Sequence, residues 1–218
     1  LLPVLNEFGN SFVNFPIWKG DMEKFQKIRE KNDVEQDFIV QLNLKDTKTI
    51  SRLMMPSLKV AKNTSLNATF TSQSRMLNLT ARSKSIMFGD LTINDFELKN
   101  FNTRKTLFGS LSVGEIAWSN ISEKDTIVLG IENLSIRSRM TNDTIATSIS
   151  WDDQDEEDHN KSQIDTYFHP HEHGGIFSIT SAEMLINDSL WKVSPNNFVD
   201  ITNGRVAISN LMFAHHSQ

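Results

Sequence analysis

The sequence predicts a mainly β protein whose strands form an elongated, curved antiparallel sheet, with one or two short helices beside it. Apolar and polar residues alternate from Gln36 onward, which is the period of strands that bury one face. These segments return about every 10 to 15 residues, and Asn, Asp, Gly and Ser lie between them. A repeated hexapeptide pattern adds changes of phase, which favour a sheet that curls into a gutter with an apolar inner face.

The alternation identifies the side chains that we expect to line this inner face. Every second residue is apolar in 38–44, 66–70, 77–81, 127–131 and 206–208. Successive side chains of a strand point to opposite faces, so the apolar members of each run share one face. The predicted inner-face residues are Phe38, Val40, Leu42, Leu66, Phe70, Leu77, Leu79, Leu129, Ile131, Val206 and Ile208.

Two segments are predicted to be helical. Residues 20–32 (GDMEKFQKIREKN) place apolar residues on one side after Asp21, a candidate N-cap. Residues 46–56 (DTKTISRLMMP) begin with Asp46 as a cap and end at Pro56, which cannot continue a helix. Both would be short insertions beside the sheet.

The chain divides into an N-terminal strand and helical insertion, residues 1–35, and one continuous sheet domain, residues 36–218. The first residue is Leu rather than Met, so we expect an excised or processed part of a longer chain. No apolar run approaches the roughly 20 residues that a membrane-spanning helix needs.

Three hexapeptides share the pattern Ile, any residue, Asp or Asn, apolar, any residue, apolar. They are INDFEL (93–98), IENLSI (131–136) and ISNLMF (208–213). The apolar spacing is three and then two, so the inward phase changes once within each copy. A β-bulge, with one extra residue, produces such a change, and we therefore predict bulges at Asp95, Asn133 and Asn210.

Composition excludes several classes of function. The formal net charge of −5 and the pI near 5.7 argue against a nucleic-acid partner, since phosphate contacts need a basic face. The chain has no cysteine, which excludes disulfides and cysteine-based zinc or redox sites.

A histidine cluster, HPHEH (169–173), follows an acidic run, DDQDEEDH (152–159). Alternate histidines of a strand would share a face, but Pro170 and the two glycines after the cluster predict a loop, and no H-E-x-x-H helix is present. We expect neither a metal nor another cofactor here. The acidic run is expected at the tip of a long hairpin, between a strand that ends at Trp151 and one that begins near Ile164.

No motif for nucleophilic catalysis or phosphate binding is present, and no carboxylate pair stands in a recognisable setting. We therefore expect no enzymatic activity. Four tryptophans are spread through the chain, and such residues either stack on sugars or close the ends of strands. They are Trp18, Trp118, Trp151 and Trp191. A carbohydrate-binding or adhesive β-sandwich is thus an alternative to the gutter.

Two long segments, residues 36–70 and 186–218, resemble the TamB and AsmA-like family of Gram-negative envelope proteins. The resemblance lies in LKDTKTISRLMMPSL, AKNTSLNATF and INDSLWKVSPNNFVDI before ISNLMF, with AWSN (117–120) and SWDD (150–153) at strand ends. These motifs are structural rather than catalytic.

The resemblance implies a β-taco, a long sheet folded lengthwise around an apolar inner face. It further implies the periplasmic middle segment of a protein that is anchored in the inner membrane by an N-terminal helix outside this segment. The expected partners are phospholipid and an outer-membrane barrel protein of the translocation and assembly module. The expected role is to carry phospholipid to the outer membrane and to support outer-membrane biogenesis and protein assembly.

Overall fold

A computed structural model describes residues 37–45, 57–71, 74, 76–103, 105–121, 126–141, 144–153, 160–171, 173–186 and 188–216. The described strands are β1 Asp37–Leu44, β2 Leu58–Val60, β3 Thr64–Thr71, β4 Met76–Phe88, β5 Leu91–Asn102, β6 Leu107–Ile121, β7 Thr126–Met140, β8 Ile145–Asp152, β9 Lys161–His171, β10 Gly174–Ile186, β11 Ser189–Val193, β12 Phe198–Thr202, β13 Arg205–Ser209 and β14 Phe213–His216.

All these strands belong to one curved, antiparallel, 14-stranded sheet, as the alternation predicts. Strands β3 to β11 follow one another in chain order, so each pairs with its neighbours in sequence. The described part of the chain contains no helix. Both predicted helices, 20–32 and 46–56, lie outside the described residues, as does the whole predicted N-terminal unit, 1–35. Within the described ranges, no helix has the length and apolar character to cross a membrane.

Strand β10 has two partners on one side, because β12 pairs with Gly174–Phe177 and β11 pairs with Glu183–Ile186. The ladder is interrupted between them. There the side chain of Asn197 takes the place of a strand: its Oδ1 accepts the N–H of Ile179 at 2.9 Å and its Nδ2 donates to the carbonyl of Ile179 at 2.8 Å. The amide thereby satisfies both backbone groups of Ile179. A register shift lies beside it, between Ile179 and Ser181.

The predictions of a β-bulge at Asp95 and at Asn133 are wrong about the type of irregularity. Pairing keeps the same register on both sides of each residue, so no extra residue is inserted. Instead both residues adopt the left-handed conformation, with φ of 50° and 49°, and their ladder pairs are missing. Asp and Asn tolerate this conformation better than most residues do.

The interruptions lie side by side across the sheet. Register places the unpaired positions Lys84, Asp95, Gly114 and Asn133 opposite one another in β4 to β7. Glycine suits position 114 because space is short there: a Cβ on this residue would lie only 3.1 Å from the Cβ of Asp95. The predicted bulge at Asn210 is also wrong: this residue has a φ of 50°, but it lies between β13 and β14 rather than within a strand.

The hairpin around the acidic run has the expected place, with slightly different ends. Strand β8 ends at Asp152 and β9 begins at Lys161, while 154–159 lie outside the described residues. Asp153 closes the described part of the turn, since its Oδ2 accepts the N–H of Asn160 at 2.8 Å.

The prediction of a loop over HPHEH is wrong. His169, Pro170 and His171 form the end of β9, and His173 precedes β10 in a tight hairpin. Proline is tolerated because it lies beyond the residues of β9 that pair with β8, so no ladder donor is lost there.

Candidate functional site

One row of apolar residues runs across nine strands, each residue directly opposite the next. Directly opposed residues project to the same side of a sheet. From β1 to β10 the row is Leu42, Leu66, Ala81, Leu98, Leu111, Ile136, Ile149, Ile164 and Ala182. We call it the aliphatic row. No polar side chain interrupts it.

The residues one position away, which face the opposite side, are polar in the same nine strands. This polar row consists of Gln41, Asn67, Thr80, Lys99, Ser110, Arg137, Ser148, Asp165 and Ser181. The contrast between the two rows separates apolar from polar side chains across this part of the sheet.

A second row on the aliphatic side carries larger side chains. Phe38, Phe70 and Leu77 are opposed in β1, β3 and β4, and the Phe38 and Phe70 rings stack with centroids 5.2 Å apart. Phe70 and Leu77 are buried, and further apolar side chains pack against them: Phe38, Leu107, Met140 and Ile145. Strands β3 and β8 are five places apart in the sheet, roughly 24 Å along a flat one. Their side chains meet in one cluster because the sheet curves.

Most of the aliphatic row is only half-buried. From Leu66 in β3 to Ile164 in β9 every member keeps part of its surface accessible, and Leu42 at the first strand is exposed. Every described strand belongs to the one sheet, and no described helix lies against it. Nothing within the described residues forms a second layer over this row.

The structure brings most of the predicted inner-face residues together. Seven of them lie in β1, β3 and β4 and are opposed to one another or to an alanine: Phe38, Val40, Leu42, Leu66, Phe70, Leu77 and Leu79. Val206 and Ile208 lie in β13, opposite Ile201 and Val199, at the far end of the sheet.

Ile131 and Leu129 lie in β7 beyond the interrupted line at Asn133, opposite Ile116 and Trp118. Ile131 belongs to another apolar patch. The patch extends through the pairs of Ile116 with Ile93 and of Ile93 with Ile86.

The prediction missed the central part of the aliphatic row, which consists of Leu98, Leu111, Ile136, Ile149 and Ile164. Part of their alternation is visible in the sequence, for example in Phe96, Glu97 and Leu98. Which residue opposes which, however, depends on the register of each hairpin. That information is not contained in alternation alone.

The polar side carries a small charge cluster. Arg82 and Lys99 each form an ion pair with Glu97, with nitrogen–oxygen distances of 2.5 Å. Hydrogen bonds from Lys99 and then from Arg82 lower the pKa of Glu97 below its ordinary value. The three groups are partly or largely exposed, so their contribution to stability is small.

The histidine hairpin does not assemble a metal site in the part of the chain that the structure describes. His171 Nε2 lies 3.6 Å from Asp200 Oδ1 and 3.4 Å from Thr202 Oγ1. No group of three or more His, Asp or Glu side chains with suitable geometry occurs among the described residues.

No protein-family model matches the chain, and no curated protein or solved structure shows significant similarity to it. The resemblance to the TamB and AsmA-like family thus rests on the sequence motifs alone.

Proposed function

We propose that this chain shields the acyl chains of phospholipid on the side of the sheet that carries the aliphatic row. The proposal includes the setting that the sequence resemblance implies: a periplasmic segment of an envelope-spanning, inner-membrane-anchored TamB/AsmA-like protein. Its wider role would be phospholipid transport to the outer membrane with an outer-membrane barrel partner. The chain would bind and not catalyse.

The observation that supports this proposal is the aliphatic row itself. It crosses nine strands, roughly 38 Å along the sheet, without a polar side chain. An apolar surface of this length that no described residue covers is uncommon on a protein without a partner. Each buried CH₂ of an acyl chain contributes about 0.8 kcal/mol, so a half-buried row offers a favourable path out of water.

A concave aliphatic side would have a shape that suits a lipid. If the aliphatic side is the inner one, as the packing of Ile145 against Phe70 and Leu77 supports, the strands form a gutter. Acyl chains would lie along the aliphatic row, and the headgroup would stay in water at the open edge. No nucleophile, metal or cofactor is required for such shielding.

The test compares two aspartates on adjacent residues of β7. Ile136→Asp places a carboxylate in the middle of the aliphatic row, while Ser135→Asp places the same group on the polar side. We expect phospholipid that co-purifies with the protein, measured by mass spectrometry, to fall several-fold in the first variant and to be unchanged in the second. Folded Ile136→Asp protein with normal lipid content would disprove the proposal.

A second variant covers the case in which Ile136→Asp does not fold. Val206 is 62% exposed, so Val206→Asp should change stability by less than about 1 kcal/mol and still weaken lipid photo-crosslinking near β13. Unfolding of both variants would instead indicate that the aliphatic side is a closed, packed core without room for lipid.

The alternative, carbohydrate binding, has one supporting observation: the indole of Trp118 is 59% exposed on β6. Aromatic faces of this kind stack on sugar rings. Binding of soluble glycans that quenches tryptophan fluorescence and is lost in Trp118→Ala would support this alternative over lipid shielding.

A further inference from the structure

The polar side of the sheet contains an open cavity of about 510 Å³. One row of opposed residues across five strands contributes to its lining: Phe101, Phe108, Arg139, Ala146 and Tyr167. This volume lies within the range of roughly 300 to 1,000 Å³ that is typical of small-molecule sites. The cavity is on the side opposite the aliphatic row and does not depend on the lipid proposal.

Small residues create the cavity. Ala146 separates Arg139 from Tyr167, and Ser110 and Ser148 stand on either side of Arg137 in the polar row. Gly109 lies in the floor, between these two rows. Short side chains flanked by long ones leave a depression about one side chain deep, with rings and guanidinium groups as its walls.

Two arginines at the cavity have no ionic partner among the described residues. Arg137 and Arg139 are exposed, and neither forms an ion pair with any residue that the structure describes, whereas Arg82 and Lys99 on the same side are paired with Glu97. The carboxylate that lines the cavity, Asp165, lies two strands from Arg137 in the polar row. A guanidinium group binds phosphate through two parallel hydrogen bonds, so two unpaired arginines favour an anion.

The aromatic walls favour a planar group beside that anion. The rings of Phe101 and Phe108 stack with centroids 4.9 Å apart, and Phe101 is still 50% exposed. Tyr167, 40% exposed, stacks on His169 from the other wall. Exposed aromatic side chains on a sheet bind flat rings by stacking, and the charged group of the same ligand then reaches the arginines.

We propose that this cavity binds a small aromatic phosphate of the nucleoside monophosphate class. The ring would stack on Phe108 or Tyr167, and the phosphate would lie against Arg137 and Arg139. Asp165 would accept a hydrogen bond from a sugar hydroxyl, which accounts for a carboxylate at the rim of an otherwise cationic site. The ligand would be small, consistent with a net negative protein that is unsuited to polymeric nucleic acid.

The test is calorimetric titration of the full chain with AMP, adenosine and inorganic phosphate. We expect AMP to bind at least tenfold more tightly than either fragment, because only AMP contacts both the rings and the arginines. Arg139→Gln and Tyr167→Ala should each weaken AMP binding by roughly tenfold or more. Arg82→Gln, which removes the same charge from the same side outside the cavity, should leave it unchanged.

Three results would overturn the proposal. They are no AMP binding below about 1 mM, equal affinity for phosphate and AMP, and equal weakening by Arg82→Gln and Arg139→Gln. Circular dichroism of each variant separates lost binding from lost fold. If Tyr167→Ala is unfolded, Phe108→Ser tests the stacking in its place, and unchanged AMP affinity in that folded variant would overturn the proposed stacking.

Discussion

The backbone N–H of Leu77 donates a hydrogen bond of 2.6 Å to the side-chain Oδ1 of Asn102. Asn102 is only 3% exposed and sits in the row of large apolar side chains, between Leu77 in β4 and Leu107 in β6. Its Nδ2 donates to the carbonyl of Thr103 at 3.0 Å. A polar residue is stable at this position because its amide pairs with the N–H of Leu77 and the carbonyl of Thr103, at the end of the β4–β5 pair that is remote from the connecting turn.

Replacing Asn102 with leucine should therefore destabilise the sheet despite the apolar surroundings. Asn102→Leu leaves the N–H of Leu77 without this acceptor, which costs about 1 to 3 kcal/mol. Urea denaturation followed by circular dichroism measures the change. A neutral or stabilising effect would show that water replaces the amide.

The matched control is Asn100, two residues earlier in β5 on the same side. Its Oδ1 is buried and has no hydrogen-bond partner among the described residues. Because little is lost and apolar area is gained, Asn100→Leu should be neutral or stabilising by up to about 1 kcal/mol. Equal destabilisation by both substitutions would mean that leucine simply does not fit this face.

We call the point at which β10 changes its partner from β12 to β11 the fork of β10. The side chain of Asn197 should be essential for the stability of this fork. Asn197→Ala removes three hydrogen bonds, two with the backbone of Ile179 and one with the carbonyl of Ser194. It should lower the free energy of unfolding by about 2 to 3 kcal/mol. Amide hydrogen exchange should accelerate at Ile179 in particular. Asn196→Gly is the control, since glycine adopts the φ of 58° at Asn196 readily and stability should change by less than about 0.5 kcal/mol.

The left-handed conformation at Asp95 predicts that two substitutions there, by glycine and by valine, affect stability differently. Asp95→Gly should be neutral or slightly stabilising, because glycine adopts a φ of 50° without strain. Asp95→Val should destabilise by about 1 to 2 kcal/mol, because a branched side chain clashes in this conformation. Thermal melts of the pair give the comparison, and equal stability of the two variants would argue against a left-handed residue here.

The charge cluster around Glu97 predicts a small pH dependence of stability. Lys99 and Arg82 hold the pKa of Glu97 below its ordinary value, so their stabilisation is present above pH of about 4.3 and is lost as the pH falls through the lower, folded-state pKa. Glu97→Gln should abolish this loss of folding stability at acid pH. The loss itself should be less than about 1 kcal/mol, because the groups face solvent.

Denaturant titrations of wild type and Glu97→Gln between neutral pH and pH 3 test this expectation. High salt should shrink the difference between the two proteins, since salt screens exposed ion pairs. A difference that grows with decreasing pH would contradict the assigned direction of the pKa shift.

The sequence by itself determined the class of this fold and much of its local detail. A period of two is a property of the extended chain, so alternation alone identified strands and the face that residues such as Phe38, Val40 and Leu42 share. It also located the irregular residues Asp95 and Asn133, because a change of apolar phase requires some departure from regular strand geometry.

Only the tertiary structure decided how the strands combine. Register between hairpins places Leu98, Leu111 and Ile136 in one row, and no single strand contains that information. The fork at Ile179 and the cavity beside Arg139 depend on residues distant in sequence that become neighbours when strands pair. Pairing also overrode local signals at Pro170, where proline and glycine predicted a loop and the β9–β10 hairpin extended the strand instead. Local geometry follows from each residue and its neighbours, whereas opposition across a sheet follows from the whole set of turns that set its register.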